Sequence, residues 1–208
     1  ANSDNWITAY LMSKLNPYNL KRLIHTFGVR NRDIVPSVSL CLGPCEISVG
    51  EMVSAYTAFP NKGIRVAPLF VTRIEDNDGN VLATFAPEMQ EVISVSSAYK
   101  MLVMLRAVVN EGTGGRVRRL GVKADMGGKT GTAQVTKLKM TANDRRLRTA
   151  ELAYLHRDHA WIATWGSKNG KTYVVIVMVE HGGGGSSVAG PVAKKVYEYL
   201  FGPDTAAP

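Results

Sequence analysis

Nine consecutive residues constrain this chain more than any others: Gly127-Gly128-Lys129-Thr130-Gly131-Thr132-Ala133-Gln134-Val135. Thr130, Thr132 and Val135 favour extended backbone, and Gly131 leaves room for another backbone to come close. The run reads as an edge strand with open space above it. A cationic head and two hydroxyls beside an open edge suit an extended peptide that ends in a carboxylate. The edge would pair with the peptide by strand addition, while Lys129, Thr130 and Thr132 would hold its carboxylate. The same residues also fit a glycine-bounded turn leading into an ordinary strand, so Lys-Thr-Gly alone does not decide.

Around that strand the pattern predicts two helices, Asn5–Leu15 and one from Asn16-Pro17 to Gly28. The first should turn Ile7, Leu11 and Leu15 inward, with Tyr10 beside them. Ser48-Val49-Gly50-Glu51 has the form of a capping box and opens a third helix. Val66–Ile74 and Val81–Phe85 flank Asp76-Asn77-Asp78-Gly79-Asn80 as a hairpin. Ser97–Glu111 reads as a helix with Ala98, Leu102, Leu105 and Val109 inward. Thr136–Asp158 is polar, basic and weakly periodic, an insertion rather than a core element. Ala160–Trp165 reads as a strand, and Tyr173–Val179 as a strand buried on both faces. A glycine-rich loop, Gly182–Gly185, precedes a last helix with Val188, Val192, Val196 and Leu200 on one stripe. Successive strands with short connections are antiparallel, so the fold class is α+β, an antiparallel sheet covered by helices. At 208 residues and 45% apolar, one domain is expected. It divides into a mainly helical part with a hairpin (1–115), a part with the central strand, two further strands and the closing helix (116–202), and a tail (203–208). No stretch reaches the ~20 apolar residues of a membrane span.

The chain opens Ala1-Asn2-Ser3-Asp4-Asn5, a Ser-x-Asn at the mouth of the first helix. On its own this pair would be read as helix capping. Ser-x-Asn followed far downstream by Lys-Thr-Gly is the second and third motif of the penicillin-binding, serine-acylating enzymes, whose first motif is Ser-x-x-Lys. The sequence resembles the C-terminal part of a penicillin-binding protein transpeptidase domain over nearly all its length. Gly43–Gly63 matches a recurrent structural signature of that family. Up to about Gly131 the chain is most similar to the bifunctional class A proteins. From Thr132-Ala133-Gln134-Val135 onward it is more similar to the class B proteins of cell elongation, through the insertion, Arg157-Asp158-His159 and the glycine-rich loop.

The resemblance implies a serine-type D-Ala-D-Ala transpeptidase or carboxypeptidase that cross-links peptidoglycan through an acyl-enzyme. Lys129 would hold charge and support proton transfer, and Thr130 and Thr132 would bind the terminal carboxylate beside Gly131. The backbone N–H of Thr132 would be one oxyanion donor. Ser3 would relay a proton towards the leaving amine, and Asn5 would hold the substrate amide. Stem peptides, β-lactam antibiotics and other cell-wall synthesis proteins are the implied partners, with no cofactor and no metal. The implied place is the periplasmic or extracytoplasmic face of the cytoplasmic membrane, with the anchor outside these residues. The acylated serine and its lysine base are expected upstream, which would leave this piece inactive alone. Ser97-Ala98-Tyr99-Lys100 has the right spacing but lies between the other two motifs, and reads as a helix start.

Other readings remain. One is a non-catalytic module of the same fold that binds peptidoglycan or a protein partner. The net charge is +8, and all of it falls between Thr113 and Arg148. That window holds ten basic residues (Arg116, Arg118, Arg119, Lys123, Lys129, Lys137, Lys139, Arg145, Arg146, Arg148) against Asp125 and Asp144. Such a field gathers anions or is simply a solvated loop. Without interleaved aromatics it argues against nucleic acid. His156-Arg157-Asp158 lacks the other parts of a kinase. His156 and His159 lack further metal ligands, and the glycine run lacks a phosphate-loop lysine. Cys41 and Cys45 complete no zinc set and read as buried free thiols.

Overall fold

The computed structural model describes residues 2–119, 121–136, 143, 145 and 147–202. The tail at 203–208 and the basic residues Lys137, Lys139 and Arg146 lie outside the described residues, as does Asp144. The chain forms two compact units, one of Asp4–Met101 and one of the described residues from Leu102 onward together with Asn2 and Ser3.

In the Asp4–Met101 unit, α1 (Asn5–Ser13) is capped by Asp4, whose carboxylate accepts from the N–H groups of Trp6 and Ile7. The cap is therefore the residue between Ser3 and Asn5. The buried residue of α1 is Met12, while Trp6 is 89% exposed and Ile7, Tyr10, Leu11 and Leu15 are also exposed. The face predicted inward is thus exposed, and the residue of α1 that packs is Met12, about a quarter-turn round the helix. α2 (Pro17–Thr26) opens on Pro17 behind Asn16, whose side chain accepts from Tyr18 N–H. Its Leu20 and Ile24 pack with Cys45 and Ile47 against buried Val29, Ile34 and Leu40. Cys41 and Cys45 are free but only half-buried. The Cys41 thiol reaches the Val38 carbonyl at 3.1 Å within a short 3₁₀ turn, which holds it near the surface.

The capping box of α3 (Val49–Thr57) forms as the sequence predicts. Ser48 Oγ accepts from Glu51 N–H, and the Glu51 carboxylate accepts from Ser48 N–H at 2.8 Å. That carboxylate also takes the Arg30 N–H at 2.7 Å, and these bonds hold its pKa below the usual carboxylate range. The turn that follows α3 closes at Lys62-Gly63, where a Cβ on Gly63 would lie 1.9 Å from the Ile93 carbonyl oxygen. The strand predicted over Val66–Ile74 is two strands. β1 (Ile64–Val66) pairs with β4 (Met89–Glu91), and β2 (Arg73–Glu75) pairs with β3 (Val81–Thr84). Pro68, which has no N–H to give a ladder, lies in the break. The hairpin turn is tied by Asp76, whose carboxylate accepts from the N–H groups of Asp78 and Asn80.

α4 (Val95–Asn110) runs on into the second unit with Ala98, Leu105, Val108 and Val109 buried. α5 (Gly115–Arg119) leads to β5 (Asp125–Ala133), which pairs antiparallel with β6 (His159–Lys168), and β6 pairs with β7 (Lys171–Val179). In the order β5-β6-β7, β5 is an edge strand. β7 is the other outer strand and only Val175 in it is buried, so its apolar run does not mark burial on both faces. α6 (Gly190–Phe201) follows a π turn over Gly185–Ala189. The stripe it buries is Ala189, Gly190, Ala193 and Tyr197, one position on from the predicted valines, and Val192 is exposed. Small residues let the helix come close, and Val188, Val196 and Leu200 flank them around the core of Val109, Val117, Met126, Ile162 and Val175.

Tyr197 anchors this packing, its hydroxyl donating to Thr164 Oγ1 at 2.9 Å while Thr164 Oγ1 donates to the Val175 carbonyl at 2.9 Å. Burial pushes the Tyr197 phenol well above its ordinary pKa. Tyr197→Phe should lower unfolding stability by about 1 kcal/mol, and Tyr197→Ala by about 3 kcal/mol or more. Guanidinium denaturation checks this, and equal losses for the two variants would contradict the packing role of the ring.

Candidate active site

β5 comes close to its neighbours where glycines stand, and among the described residues it is an edge strand of its sheet. A Cβ on Gly127 would stand 2.8 Å from the Leu105 carbonyl carbon and 2.9 Å from Arg106 N. The strand therefore lies directly against the backbone of α4. Arg106 then grips Asp125 with two nitrogens, Nε at 2.8 Å and Nη2 at 2.5 Å, and its guanidinium lies 5.0 Å from the Trp165 ring. On Gly185, a Cβ would stand 2.2 Å from the Trp161 carbonyl oxygen and 2.6 Å from that of Gly131. The backbone that approaches Gly131 is thus the chain's own glycine-rich loop.

That loop is fixed by the segment before β6. His181 N–H donates to His159 Nδ1 at 2.9 Å, and Gly183 N–H donates to the Asp158 carbonyl at 2.8 Å. His181 Nδ1 lies 3.0 Å from the Arg157 carbonyl, and the Tyr154 ring is 5.0 Å from the His181 ring. The Asp158 carboxylate accepts from Val135 N–H at 3.4 Å, just past the end of β5. His159, Asp158 and His181 thus pin the loop to the strand. Among the described residues no group of three His, Cys, Asp or Glu is placed to hold a metal ion.

Lys129, Thr130, Gly131 and Thr132 stand consecutively on β5, opposite Ala163, Ile162, Trp161 and Ala160 of β6. Lys129 is half-buried, and its Nζ donates to the Thr130 carbonyl at 2.8 Å. Burial disfavours its charged form and lowers its pKa below the ordinary lysine value. Thr130 Oγ1 donates to Thr113 Oγ1 at 3.2 Å. Thr132 and Ala133 are exposed. Strand addition at this edge would meet a cation and two hydroxyls within four residues.

Ser3 belongs to the unit that carries β5, whereas Asn5 is the first residue of α1 in the Asp4–Met101 unit. Ser97 lies in the first turn of α4 and is exposed, with Ser94 Oγ donating to its Oγ at 3.0 Å. Sequence reasoning overlooked Thr113, Arg106 and Gly185. The signals were a threonine set between glycines and a lone arginine on the apolar helix α4. The third was a glycine-rich loop whose close approach the sequence could not aim. As a test of the packing, Gly185→Ala should destabilise by about 2 kcal/mol through overpacking. Gly50→Ala, with open space around its Cβ in α3, should stabilise by about 0.5 kcal/mol. Thermal unfolding of the two variants checks the contrast.

Penicillin-binding protein 1A of Aquifex aeolicus is 34% identical over 132 residues, covering 64% of this chain and 18% of that protein. Among solved structures, the D,D-transpeptidase domain of a peptidoglycan glycosyltransferase from Eggerthella lenta superposes with a TM-score of 0.71 at 18% identity. It covers 96% of this chain and 52% of that one. Penicillin-binding protein 3 of Mycobacterium tuberculosis, solved in complex with ampicillin, gives 0.65 at 22% identity, covering 96% and 50%. At these identities the structures share the fold. The matched stretch spans 17% to 18% of the length of the curated relatives. The profile of the penicillin binding protein transpeptidase domain matches residues 1–198, from the Ser-x-Asn opening through the Lys-Thr-Gly edge strand to α6, and to that family the chain belongs.

Proposed function

We propose that these residues are the substrate-gripping part of a penicillin-binding serine D,D-transpeptidase that cross-links peptidoglycan stem peptides through an acyl-enzyme. The observation that carries the reading is Lys129, Thr130 and Thr132 set along the free edge of a three-stranded antiparallel sheet. An extended stem peptide ending in D-Ala-D-Ala would add to that edge as a further strand. Thr130 and Thr132 would hold its terminal carboxylate with charge-assisted hydrogen bonds. The N–H of Thr132 would stabilise the oxyanion, whose second donor is the nucleophile's own N–H. The half-buried Lys129, its charge destabilised by desolvation, would hold charge at the site and support proton transfer. Ser3 would pass a proton to the leaving amine, and Asn5 would hold the substrate amide.

The acylated serine and its lysine base are assigned to sequence outside these 208 residues, and Ser97 with Lys100 to the structural role of a helix start. The division into 1–115, 116–202 and a tail is proposed for this part of one domain. β-Lactams would acylate the same serine, so they and the stem peptides are the proposed ligands, with other cell-wall synthesis proteins as partners. The proposed place is the outer face of the cytoplasmic membrane. The anchor is proposed to lie outside these residues; no helix among the described residues is long and apolar enough to cross a membrane.

Intact mass after incubation with benzylpenicillin tests the reading. The 208-residue chain should keep its mass, and the full-length natural protein should gain one penicilloyl group. A stoichiometric adduct on the 208 residues would place a nucleophile within them, with Ser97 the first to examine. No adduct on the full-length protein would leave a binding module without catalysis. In the full-length protein Lys129→Ala should slow acylation at least about tenfold with unfolding unchanged. Acylation at the parent rate would refute the role of Lys129.

A further inference from the structure

The loop Gly112–Gly115 is held firmly for its length. Gly112 N–H and Gly114 N–H both donate to the Val108 carbonyl, at 3.1 and 3.0 Å, and Gly115 N–H donates to the Gly112 carbonyl at 3.0 Å. A Cβ on Gly114 would press within 3.2 Å of that same Val108 carbonyl. The loop thus closes tightly on the end of α4, which is itself fixed to β5 by the Arg106–Asp125 grip and the Gly127 contact. Arg118 adds a second tie, its guanidinium donating to Asn110 Oδ1 at 3.0 Å and to the Ala124 carbonyl at 3.1 Å. The side chain that this frame presents to the strand edge is Thr113, and it meets Thr130 Oγ1 at 3.2 Å.

We propose that Thr113 is a positioning residue for carboxylate recognition: it orients the Thr130 hydroxyl towards the terminal carboxylate of the peptide or β-lactam. This rests on the reading of β5 as the substrate-binding edge. A hydroxyl has one proton and two lone pairs. Without ligand, Thr130 gives its proton to Thr113. When a carboxylate arrives, Thr130 turns that proton to the anion, and Thr113 donates its own to the lone pair left on Thr130. Each bond polarises the next, so the grip on the anion strengthens. Without Thr113 the Thr130 rotor loses its local partner and must be ordered by the ligand alone. The effect belongs to the carboxylate and not to the acyl-transfer step.

The test compares benzylpenicillin with its methyl ester, which lacks the anionic group, as acylating agents of the full-length natural protein. Thr113→Val keeps the shape and removes the hydroxyl; Thr113→Ser keeps the hydroxyl. Thr113→Val should raise the half-saturating concentration of benzylpenicillin about three- to tenfold, the worth of one lost hydrogen bond. The limiting acylation rate should fall by no more than about twofold, and the constants for the ester should not move. Thr113→Ser should restore the parent values. Equal shifts for both compounds, or none for benzylpenicillin, would overturn the role of Thr113 while leaving the transpeptidase reading in place. If the parent protein were acylated by neither compound, the transpeptidase reading would fall and this inference with it.

Discussion

The sheet-bearing unit depends on close backbone approach to β5, made where side chains are missing. Gly127 lets the strand lie on α4, and Gly185 lets the glycine-rich loop lie on Gly131 and Trp161. Neither contact survives a Cβ without movement of backbone, and a backbone in a packed interior moves at the expense of everything attached to it. Ion pairs alone would not position the strand so tightly. The Arg106–Asp125 pair is partly exposed, and such pairs contribute little by themselves. Its value here is directional, because a two-pronged guanidinium fixes the register between helix and strand that Gly127 has made possible.

With the strand fixed by its neighbours, its free edge is left to side chains of modest size, and the sequence supplies a cation and hydroxyls there. An exposed edge is a hazard for a soluble protein, since it invites any other extended chain to pair with it. Here the edge carries a charge and is framed by the loop at Thr113 and a tethered loop at Gly185. Under the proposed reading, a partner would be extended and would meet Lys129 and the two threonines, which would favour an anionic peptide terminus over an arbitrary strand.

Much of this was legible in the sequence, and the limits have physical causes. The edge strand, the capping box at Ser48 and Glu51 and the inward face of α4 rest on local rules, and the structure reproduces them. The Asp76–Asn80 turn is local in the same way, tied by its own side chain. Burial of whole faces was harder. The apolar residues of α1 and β7 looked like core, but which side meets other elements is decided by partners far away in sequence. In the last helix Val188, Val196 and Leu200 of the predicted stripe do pack against the core, but the fully buried positions are Ala189, Ala193 and Tyr197, because close approach rewards small residues as much as apolar ones.

The candidate site divides in the same manner. Lys129, Thr130 and Thr132 could be picked out because they share one short stretch of strand. Thr113 could not, since it meets Thr130 across seventeen residues, through a loop whose place is set by α4 and the Arg106 grip. His159 and His181 could be listed as titratable side chains. Their work, however, is to accept from and lie against backbone 22 to 24 residues away. What sequence reading misses is the group that positions another group, because its signal lies in a contact and not in its own residue type. In this chain such contacts converge on β5: the guanidinium of Arg106 grips Asp125, the tethered loop lies on Gly131 through Gly185, and the Thr113 hydroxyl meets that of Thr130.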